Sequence, residues 1–292
     1  MISEVQVRLS GGVGNQIFQF LAGEMVAEKF GAKFTINFKA LEAANAHNGS
    51  DIRELDFFNS NSEVLFGSSK FTQTFYERVK IKLAKKNKTF SRIFNLYCDE
   101  YFDFEQLERF TGTLQLAGYF QTQQVVEFTR KSYPSLTLRP KNPSVKFAAA
   151  LNQINGDFCA IHIRRGDYLH MNSIHKELTS DYYLRSLNLL REESKDNLMK
   201  YVVFSDEPEL ALALLPKDLN CIQATEFELS TIEELYLMSH AAEFIVANST
   251  FSFWPAFLAK PDCRVVVPAN WFKSGSQSIK EIFPSHWNLI SN

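Results

Sequence analysis

Apolar and polar positions alternate at the beginning of the chain and then take a helical period. Residues 2–9 alternate, which is typical of a strand with one buried face. After a glycine-rich turn, residues 15–30 repeat apolar side chains every three to four positions, which predicts a helix that ends at Gly31. Residues 34–38 alternate again. The chain therefore begins with a predicted β–α–β unit.

The alternation of strands and helices continues along the rest of the chain. Further strands are predicted at residues 113–117, 158–163, 201–204, 219–223, 244–247 and 265–267. Further helices are predicted at residues 123–131, 181–194, 207–215, 231–239 and 252–259. Because strands and helices alternate, the pattern indicates an α/β fold with parallel sheets and helices on both sheet faces.

Three prolines separate the two halves of the chain, at positions 134, 140 and 143. They predict a domain boundary near residue 143. The result is an N-terminal domain of residues 1–143 and a C-terminal domain of residues 144–292.

Residues 78–92 form a strongly basic stretch that contains seven Lys and Arg side chains. We interpret the stretch as a helix with a solvated basic face. The alternative is contact with an anionic membrane surface or with a lipid-linked acceptor. Either interpretation allows at most a peripheral membrane association.

Composition excludes several function classes. The 292 residues are 45% hydrophobic, enough for a packed core, and 31 Lys and Arg nearly balance 33 Asp and Glu, which argues against a nucleic-acid partner. Without a long apolar run or a signal-peptide pattern, we expect a cytoplasmic protein, with the inner face of the cytoplasmic membrane as the alternative location. The four scattered cysteines contain no C-x-x-C pair, which disfavours a structural zinc site.

Polar side chains collect where three of the predicted strands end. The segment from His162 to Tyr168 runs past one strand end, Ser205 and Asp206 follow the next, and residues 248–252 follow a third. In open α/β sheets, ligands bind outside the carboxyl ends of the strands. The three clusters therefore predict one shared crevice.

The chemistry of these clusters suits a diphosphate group. Arg164 and Arg165 supply guanidinium forks for a pyrophosphate, although one of them could instead pair with Asp167. The hydroxyls of residues 249–252 lie at a helix start that can receive an anion, with simple N-capping as the alternative. Asp206 could accept hydrogen bonds from a nucleoside. His162 is equally well explained as a hydrogen-bonded histidine of the sheet.

The glycine-rich turn differs from a dinucleotide-binding fingerprint. Ile17 stands where the third glycine is required, and the next strand lacks a ribose-binding acid, so NAD is disfavoured. Gly12 and Gly14 instead predict close approach of the backbone to a ligand, with Asn15 and Gln16 offering hydrogen bonds at the helix start.

A metal cofactor is not expected. The D-x-D-like triplet at residues 103–105 has no clean strand before it, so we interpret it as a surface turn. Arginines and a helix terminus can carry the charge of a pyrophosphate without magnesium.

Together, these clusters resemble glycosyltransferase family 11, the bacterial α-1,2-fucosyltransferases. Its motifs G-G-x-G-N-Q-x-F-Q, H-x-R-R-G-D-Y and F-S-D, and the segments before its tryptophan-rich helix, are similar to residues 9–20, 162–168, 204–206, 235–239 and 247–252 of this chain. Residues 118–121 and 181–183 are weaker matches. Residues 40–110 carry little of the resemblance.

The resemblance implies a GT-B fold, meaning two Rossmann-like domains with parallel sheets that face an interdomain cleft and a donor nucleotide mainly in the C-terminal one. It implies inverting, metal-independent transfer of L-fucose from GDP-fucose to the 2-hydroxyl of a terminal galactose, in oligosaccharide or O-antigen synthesis. Arg164 and Arg165 would hold the diphosphate, and Asp167 is a candidate general base. The donor- and substrate-binding candidates are Gly12, Gly14, Asn15, Gln16, His162, Tyr168, Ser205, Asp206, Asn248, Ser249, Thr250, Phe251 and Ser252.

The chain departs from the family pattern after Ser252. Where the family reads S-W-W-G-A-W, this chain reads S-F-W-P-A-F. We expect Phe251 and Phe253 to face the donor, and Pro255 to lie in the first turn of its helix. The rival functions are transfer of another sugar from its nucleotide and a catalytically silent module that binds a nucleotide sugar.

Overall fold

In the computed structural model, the chain divides into two α/β units. The first comprises residues 1–53 and 58–136, and the second comprises residues 54–57 and 137–292. The structure describes residues 1–38, 41, 51–58, 63–65, 75–99, 101–165, 177–193, 199–271 and 279–292. Short 3₁₀ turns occur at Ile52–Glu54, Ala224–Phe227 and Ile279–Ile282.

The boundary lies between residues 136 and 137, slightly before the expected position near residue 143. The segment Glu54–Phe57 joins the second unit through backbone pairing with residues 139–141. The Asp56 N–H donates to the Arg139 carbonyl, and the Lys141 N–H donates to the Glu54 carbonyl, both at 2.8 Å. Pro140, one of the three prolines that suggest a linker, therefore lies in a paired segment.

The described part of the first unit contains a parallel sheet in the order β3-β2-β1-β5-β4. Its strands are β1 (Ile2–Arg8), β2 (Lys33–Asn37), β3 (Glu63–Leu65), β4 (Leu96–Tyr97) and β5 (Gly112–Leu116). Its helices are α1 (Val13–Phe30), α2 (Phe75–Lys86), α3 (Lys88–Ile93), α4 (Phe104–Leu107) and α5 (Gln123–Ser132). The predicted β–α–β opening is confirmed, and Gly31 ends α1 with a left-handed φ of 59°.

The basic stretch forms two helices rather than the single expected one. Asn87 interrupts it, because its side chain accepts a hydrogen bond from the Thr89 N–H at 2.7 Å and so starts α3. The expected solvated face is present, since most of the basic side chains of α2 and α3 are exposed.

The described part of the second unit contains a parallel sheet in the order β11-β10-β9-β6-β7-β8. Its strands are β6 (Phe158–Ile163), β7 (Lys200–Ser205), β8 (Cys221–Gln223), β9 (Glu243–Ile245), β10 (Arg264–Pro268) and β11 (Asn288–Ile290). Its helices are α6 (Val145–Ile154), α7 (Ser180–Glu193), α8 (Pro208–Leu212), α9 (Thr231–Met238) and α10 (Thr250–Leu258). Within this unit, the strands follow the order 3-2-1-4-5-6 of dinucleotide-binding folds.

Local sequence explains most of these elements. Every residue of β6 is buried, as expected for a central strand of a parallel sheet covered on both faces. Ser230 and Glu233 form the predicted capping box of α9. The sequence did not indicate α6, which follows Pro143 directly and is capped by Ser144. Among the described residues, no helix has the length and apolar character needed to span a bilayer.

Candidate functional site

The candidate site of the second unit lies where its strand order reverses. β6 and β9 are neighbours, and the chain continues from them towards opposite edges of the sheet. The loops after these two strands therefore diverge and leave the kind of crevice that binds ligands in α/β sheets. The residues that follow β6, β7 and β9 are those predicted to meet.

Two contacts join the three polar clusters. The backbone N–H of Arg165, after β6, donates to Asp206 Oδ1, after β7, at 2.9 Å. His162 Nδ1, near the end of β6, lies 2.7 Å from Ser252 Oγ in α10. The structure thus brings the three clusters to one edge of the sheet. Asp206, a nucleoside-binding candidate, uses one carboxylate oxygen to fix the Arg165 backbone, and Ser205 Oγ accepts from the Glu207 N–H at 3.1 Å.

Arg165 presents its guanidinium beside this edge. Its Nη1 donates to Glu177 Oε1 at 2.6 Å, so Glu177 is its ion-pair partner within the described ranges. Its Nε is buried and has no hydrogen-bond partner in the part of the chain that the structure describes. Because Glu177 is 54% exposed, solvent screens the pair, which orients the fork more than it cancels its charge. The arrangement leaves Arg165 suited to a further anionic partner.

Two buried side chains hold the turn between β9 and α10. The Tyr182 hydroxyl donates to the Val246 carbonyl at 2.7 Å, and Asn248 Nδ2 donates to the Trp271 carbonyl at 3.0 Å. Ser249 then caps α10 by accepting a hydrogen bond from the Phe251 N–H at 3.3 Å. The N-capping interpretation of Ser249 is therefore confirmed, and Asn248 is a buried support of the turn.

The helix after this turn begins at Thr250, earlier than the expected Ser252. Thr250 and Phe251 consequently lie in its first turn, and each is half-buried. The sequence of this turn contains no acid, so the positive end of the helix dipole is not neutralised from within. Because the helix starts earlier, Pro255 lies in its second turn, so the expectation that Pro255 lies in the first turn is wrong. Proline there removes the N–H that would reach the Phe251 carbonyl.

The two phenylalanines of this helix have different environments. Phe251 packs against the His162 ring, with centroids 5.5 Å apart, at the edge of the candidate site. Phe253 is fully buried, so the expectation that it faces the donor is wrong. Its ring lies among those of Trp254, Phe257, Phe283 and Trp287. Helical geometry explains the difference, because residues two positions apart point to different sides of a helix.

The first unit has a corresponding site at its own reversal of strand order, between β1 and β5. Gln19 joins the two loops there, since its Nε2 donates to the Gly118 carbonyl at 3.0 Å while its Oε1 accepts from the Ser10 N–H at 2.8 Å. Next to it, Gln121 Nε2 donates to Asn15 Oδ1 at 3.0 Å. Asn15 is half-buried and lies at the edge predicted for it.

The glycine-rich turn supports only part of its predicted role. Gly12 is exposed, and a Cβ placed there would meet none of the described atoms within 4 Å, so the backbone is open to a ligand. Gly14 and Gln16, by contrast, are buried. The Gln16 amide donates to the Gly11 carbonyl at 2.9 Å and accepts from the Ile52 N–H at 3.0 Å. The expectation that Gln16 offers hydrogen bonds to a ligand is therefore wrong, because its polar atoms fold the turn.

Two predicted site residues, Asp167 and Tyr168, lie outside the described residues. The D-x-D-like triplet is described, and there Asp103 caps α4 by accepting from the Gln106 N–H at 3.0 Å. This geometry agrees with the surface-turn interpretation. Among the described residues, no group of three or more His, Cys, Asp and Glu side chains is arranged to hold a metal ion.

Comparison with known proteins shows the family. The model of the family described as "Glycosyl transferase family 11" matches residues 4–291. The chain belongs to glycosyltransferase family 11. An α-1,2-colitosyltransferase of Escherichia coli is 26% identical to it over an alignment of 305 positions that covers 99% of each protein. The O-antigen biosynthesis glycosyltransferase WbnK of the same species is 26% identical over an alignment of 311 positions that covers 92% of this chain and 95% of that protein.

Among solved structures, the NodZ α-1,6-fucosyltransferase soaked with GDP-fucose aligns with 89% of this chain and 93% of its own, at 12% identity and a TM-score of 0.47. The match of the family model over residues 4–291 confirms the resemblance to family 11, and the protein is a glycosyltransferase. The mixed α/β class with parallel sheets is also confirmed, in each of its two units.

Sequence reasoning missed several residues of this family 11 glycosyltransferase. Glu177 was not a candidate, because its pairing with Arg165 joins positions twelve residues apart without a local pattern. Gln19 and Gln121 were missed as links at the edge of the first sheet, although both lie in segments that match the family. Tyr119 was also missed. It is 47% exposed beside that edge, next to the buried Phe120, whose φ is 52°.

The glycosyltransferase keeps His162 neutral at ordinary pH. Burial, followed by the charge of Arg164, lowers the pKa of His162 to about 3. The imidazole is therefore a neutral hydrogen-bonding group beside Ser252, and its burial supports a positioning role. It orders the start of α10 from the neighbouring strand.

The His162 pKa predicts how stability changes with pH. Between pH 6.5, the ordinary value, and pH 3, the unfolded chain binds a proton that the folded chain does not, so folding loses stability as pH falls. We expect His162→Asn to reduce this loss, which for one group amounts to at most about 1.4 kcal/mol per pH unit. Urea unfolding at about pH 7.5 and about pH 5, followed by tryptophan fluorescence, measures it. Equal pH slopes for wild type and variant would contradict the prediction.

Proposed function

We propose that this glycosyltransferase moves L-fucose from GDP-fucose to the 2-hydroxyl of a terminal galactose, with inversion. The observation that carries the proposal is the placement of Arg165 at the strand-order reversal, at the sheet edge from which α10 also starts with no acid in its first turn. A guanidinium fork and a helix N-terminus are two groups that bind a diphosphate well. The relative named as an α-1,2-colitosyltransferase supports a 1,2-linkage.

The proposed chemistry is a single displacement at the sugar. The acceptor 2-hydroxyl oxygen forms a bond to the anomeric carbon while the bond from that carbon to the diphosphate oxygen breaks. GDP departs with the bonding electrons, and the hydroxyl proton passes to a base. Arg165 and the start of α10 stabilise the charge that builds on the diphosphate. Arg164 is proposed to assist them, and Asp167 stays the predicted base. We propose that no metal ion takes part.

The first unit is proposed to contact the acceptor through Tyr119. Replacing Tyr119 with alanine should raise the acceptor KM by about threefold to tenfold, as expected for the loss of one aromatic contact. The kcat should change little, because the contact is made equally in ground and transition states. Tyr119→Phe keeps the ring and serves as the matched control. If Tyr119→Ala has the same acceptor KM as the wild type, Tyr119 does not contact the acceptor.

A colitose donor is the second candidate, since one relative is named a colitosyltransferase. The acceptor is proposed to be a galactose-ended glycan of the O-antigen class, in line with the name of the other relative. Including a lipid-linked β-galactoside among the acceptors of the test below shows whether the acceptor carries a lipid. We propose a cytoplasmic location for the reaction, where nucleotide sugars are available.

One experiment separates these functions. Purified protein is incubated with GDP-fucose, with a colitosyl nucleotide and with other sugar nucleotides, each in the presence of a panel of β-galactosides. An α-1,2-linked fucosyl product, identified by linkage analysis, is the expected result. If the protein transfers a sugar only from one of the other nucleotides, that nucleotide sugar is the donor and GDP-fucose is not. Binding of GDP in a calorimeter without transfer from any donor would indicate a silent binding module.

A further inference from the structure

The first unit carries a strongly polarised surface on α2 and α3. Residues 78–92 contain seven Lys and Arg and no Asp or Glu. Because the whole chain has a net charge of −2, the remaining residues together carry −9. A cation density of this kind, on an otherwise acidic protein, indicates a local function rather than a general means of solubility.

Helix α2 packs with its apolar side inward, so most of its cationic side chains are exposed. Ile81 and Ala84 face inward and pack in a cluster with Leu96 and Cys98. The exposed cations of this helix lie on the other side, at spacings of three and four residues that place them on one face. They are Arg78, Lys82, Lys85 and Lys86.

Helix α3, which follows α2 after Asn87, carries exposed apolar side chains next to exposed cations of its own. Ser91 anchors the helix, since its hydroxyl donates to the Leu96 carbonyl at 2.6 Å. Ile93 is 67% exposed and Phe90 is 37% exposed, while the neighbouring Lys88 and Arg92 are also exposed. We call the exposed side chains of residues 78–93 the basic surface. It combines cations with large apolar groups, which a merely solvated helix face does not need.

We propose that the basic surface binds an anionic lipid bilayer, with Phe90 and Ile93 entering the boundary between headgroups and acyl chains. Cations attract an anionic leaflet, and inserted apolar side chains add a contribution that salt does not screen. The exposed cations fit the attraction to an anionic leaflet, and the exposed Phe90 and Ile93 fit the insertion of apolar side chains. A nucleic acid would use the charge but leave Ile93 in water, so the bilayer explains more of the surface. This inference is independent of the donor and acceptor proposed above.

Vesicle sedimentation tests the charge requirement. The full chain is spun with vesicles of phosphatidylcholine containing increasing phosphatidylglycerol, and bound protein should rise with the anionic fraction and fall with salt. The double variant Lys85→Glu/Lys86→Glu should lower partitioning at least about tenfold. Lys217→Glu/Lys260→Glu makes the same change in net charge at exposed positions of the second unit and should bind as wild type does.

Ile93→Ser tests the apolar requirement. It should lower the binding that persists at high salt by severalfold, whereas Val145→Ser, at a side chain 87% exposed on α6, should not. Circular dichroism and transfer to a water-soluble galactoside should be unchanged in both. Equal vesicle binding by Lys85→Glu/Lys86→Glu and wild type would overturn the proposal. So would binding to a DNA or heparin column with no vesicle binding, which would assign the surface to a soluble polyanion.

Discussion

Replacing Arg165 with alanine is expected to lower kcat for fucosyl transfer by about 10²–10³-fold, the usual cost of removing one preorganised group that stabilises transition-state charge. The Arg165 side chain is 20% exposed, and its guanidinium is already oriented by Glu177. In the proposed reaction, negative charge grows on the departing diphosphate, and the oriented fork meets it without rearranging. The donor KM should therefore rise less than kcat falls, because the contact is strongest in the transition state.

Two further variants make the test specific to the geometry of the fork. Arg165→Lys keeps the positive charge but cannot bind two oxygens in one plane, so it should recover only part of the lost rate. Arg191→Ala removes an exposed arginine of α7 that contacts the Tyr201 hydroxyl, and it should react at nearly the wild-type rate. Initial rates with GDP-fucose and a β-galactoside measure all three variants. A folded Arg165→Ala protein with wild-type kcat would exclude the diphosphate role.

The position of Arg165 follows from a part of the fold that the sequence predicts well. β6 is an apolar run interrupted only by His162, and β7 and β9 contain shorter apolar runs, so their ends are visible in the sequence. Once the sheet is parallel, the residues after these strands must share an edge. Pattern alone therefore predicts that Arg165 and Asp206 lie near each other, and their hydrogen bond agrees with this.

The direction of individual polar side chains is less predictable. Gln16 and Asn15 are adjacent amides at the same helix start, yet Gln16 is buried by its bonds to Gly11 and Ile52, while Asn15 reaches the edge of the sheet. Ile52 lies 36 positions away, so no local pattern contains this contact. A hydrogen-bonding side chain at a motif position can serve the fold or the ligand, and tertiary contacts decide which.

An error of one or two residues in a predicted helix start also changes which side chains are expected to face the ligand. The capping hydroxyl of Ser249, rather than that of a later serine, starts α10 at Thr250. This start fixes the rotation of the helix, which turns Phe251 towards His162 and Phe253 into the interior. A helix that began at Ser252, as the sequence predicts, would leave Phe251 outside it, so both phenylalanines could be expected to face the donor. Helix ends are set by a single hydrogen bond, whereas helix existence is set by many side chains.

Replacing Phe253 with alanine should therefore affect stability rather than donor binding. The ring is fully buried among four other aromatic rings, and truncating such a side chain costs about 3–5 kcal/mol of unfolding free energy. All three tryptophans of the chain, at positions 254, 271 and 287, lie in the second unit. Tryptophan fluorescence during urea unfolding thus reports on the unit that contains the substitution.

Phe251→Ala supplies the contrast that decides between the two environments. Its ring is half-buried and packs mainly on His162, so its loss should cost only about 1 kcal/mol of stability, the value typical of one aromatic pair. Because Phe251 lies in the first turn of α10, its removal should instead raise the donor KM of the remaining folded protein. The opposite assignment, with Phe253→Ala stable and impaired only in donor binding, would mean that α10 is rotated relative to the helix described here.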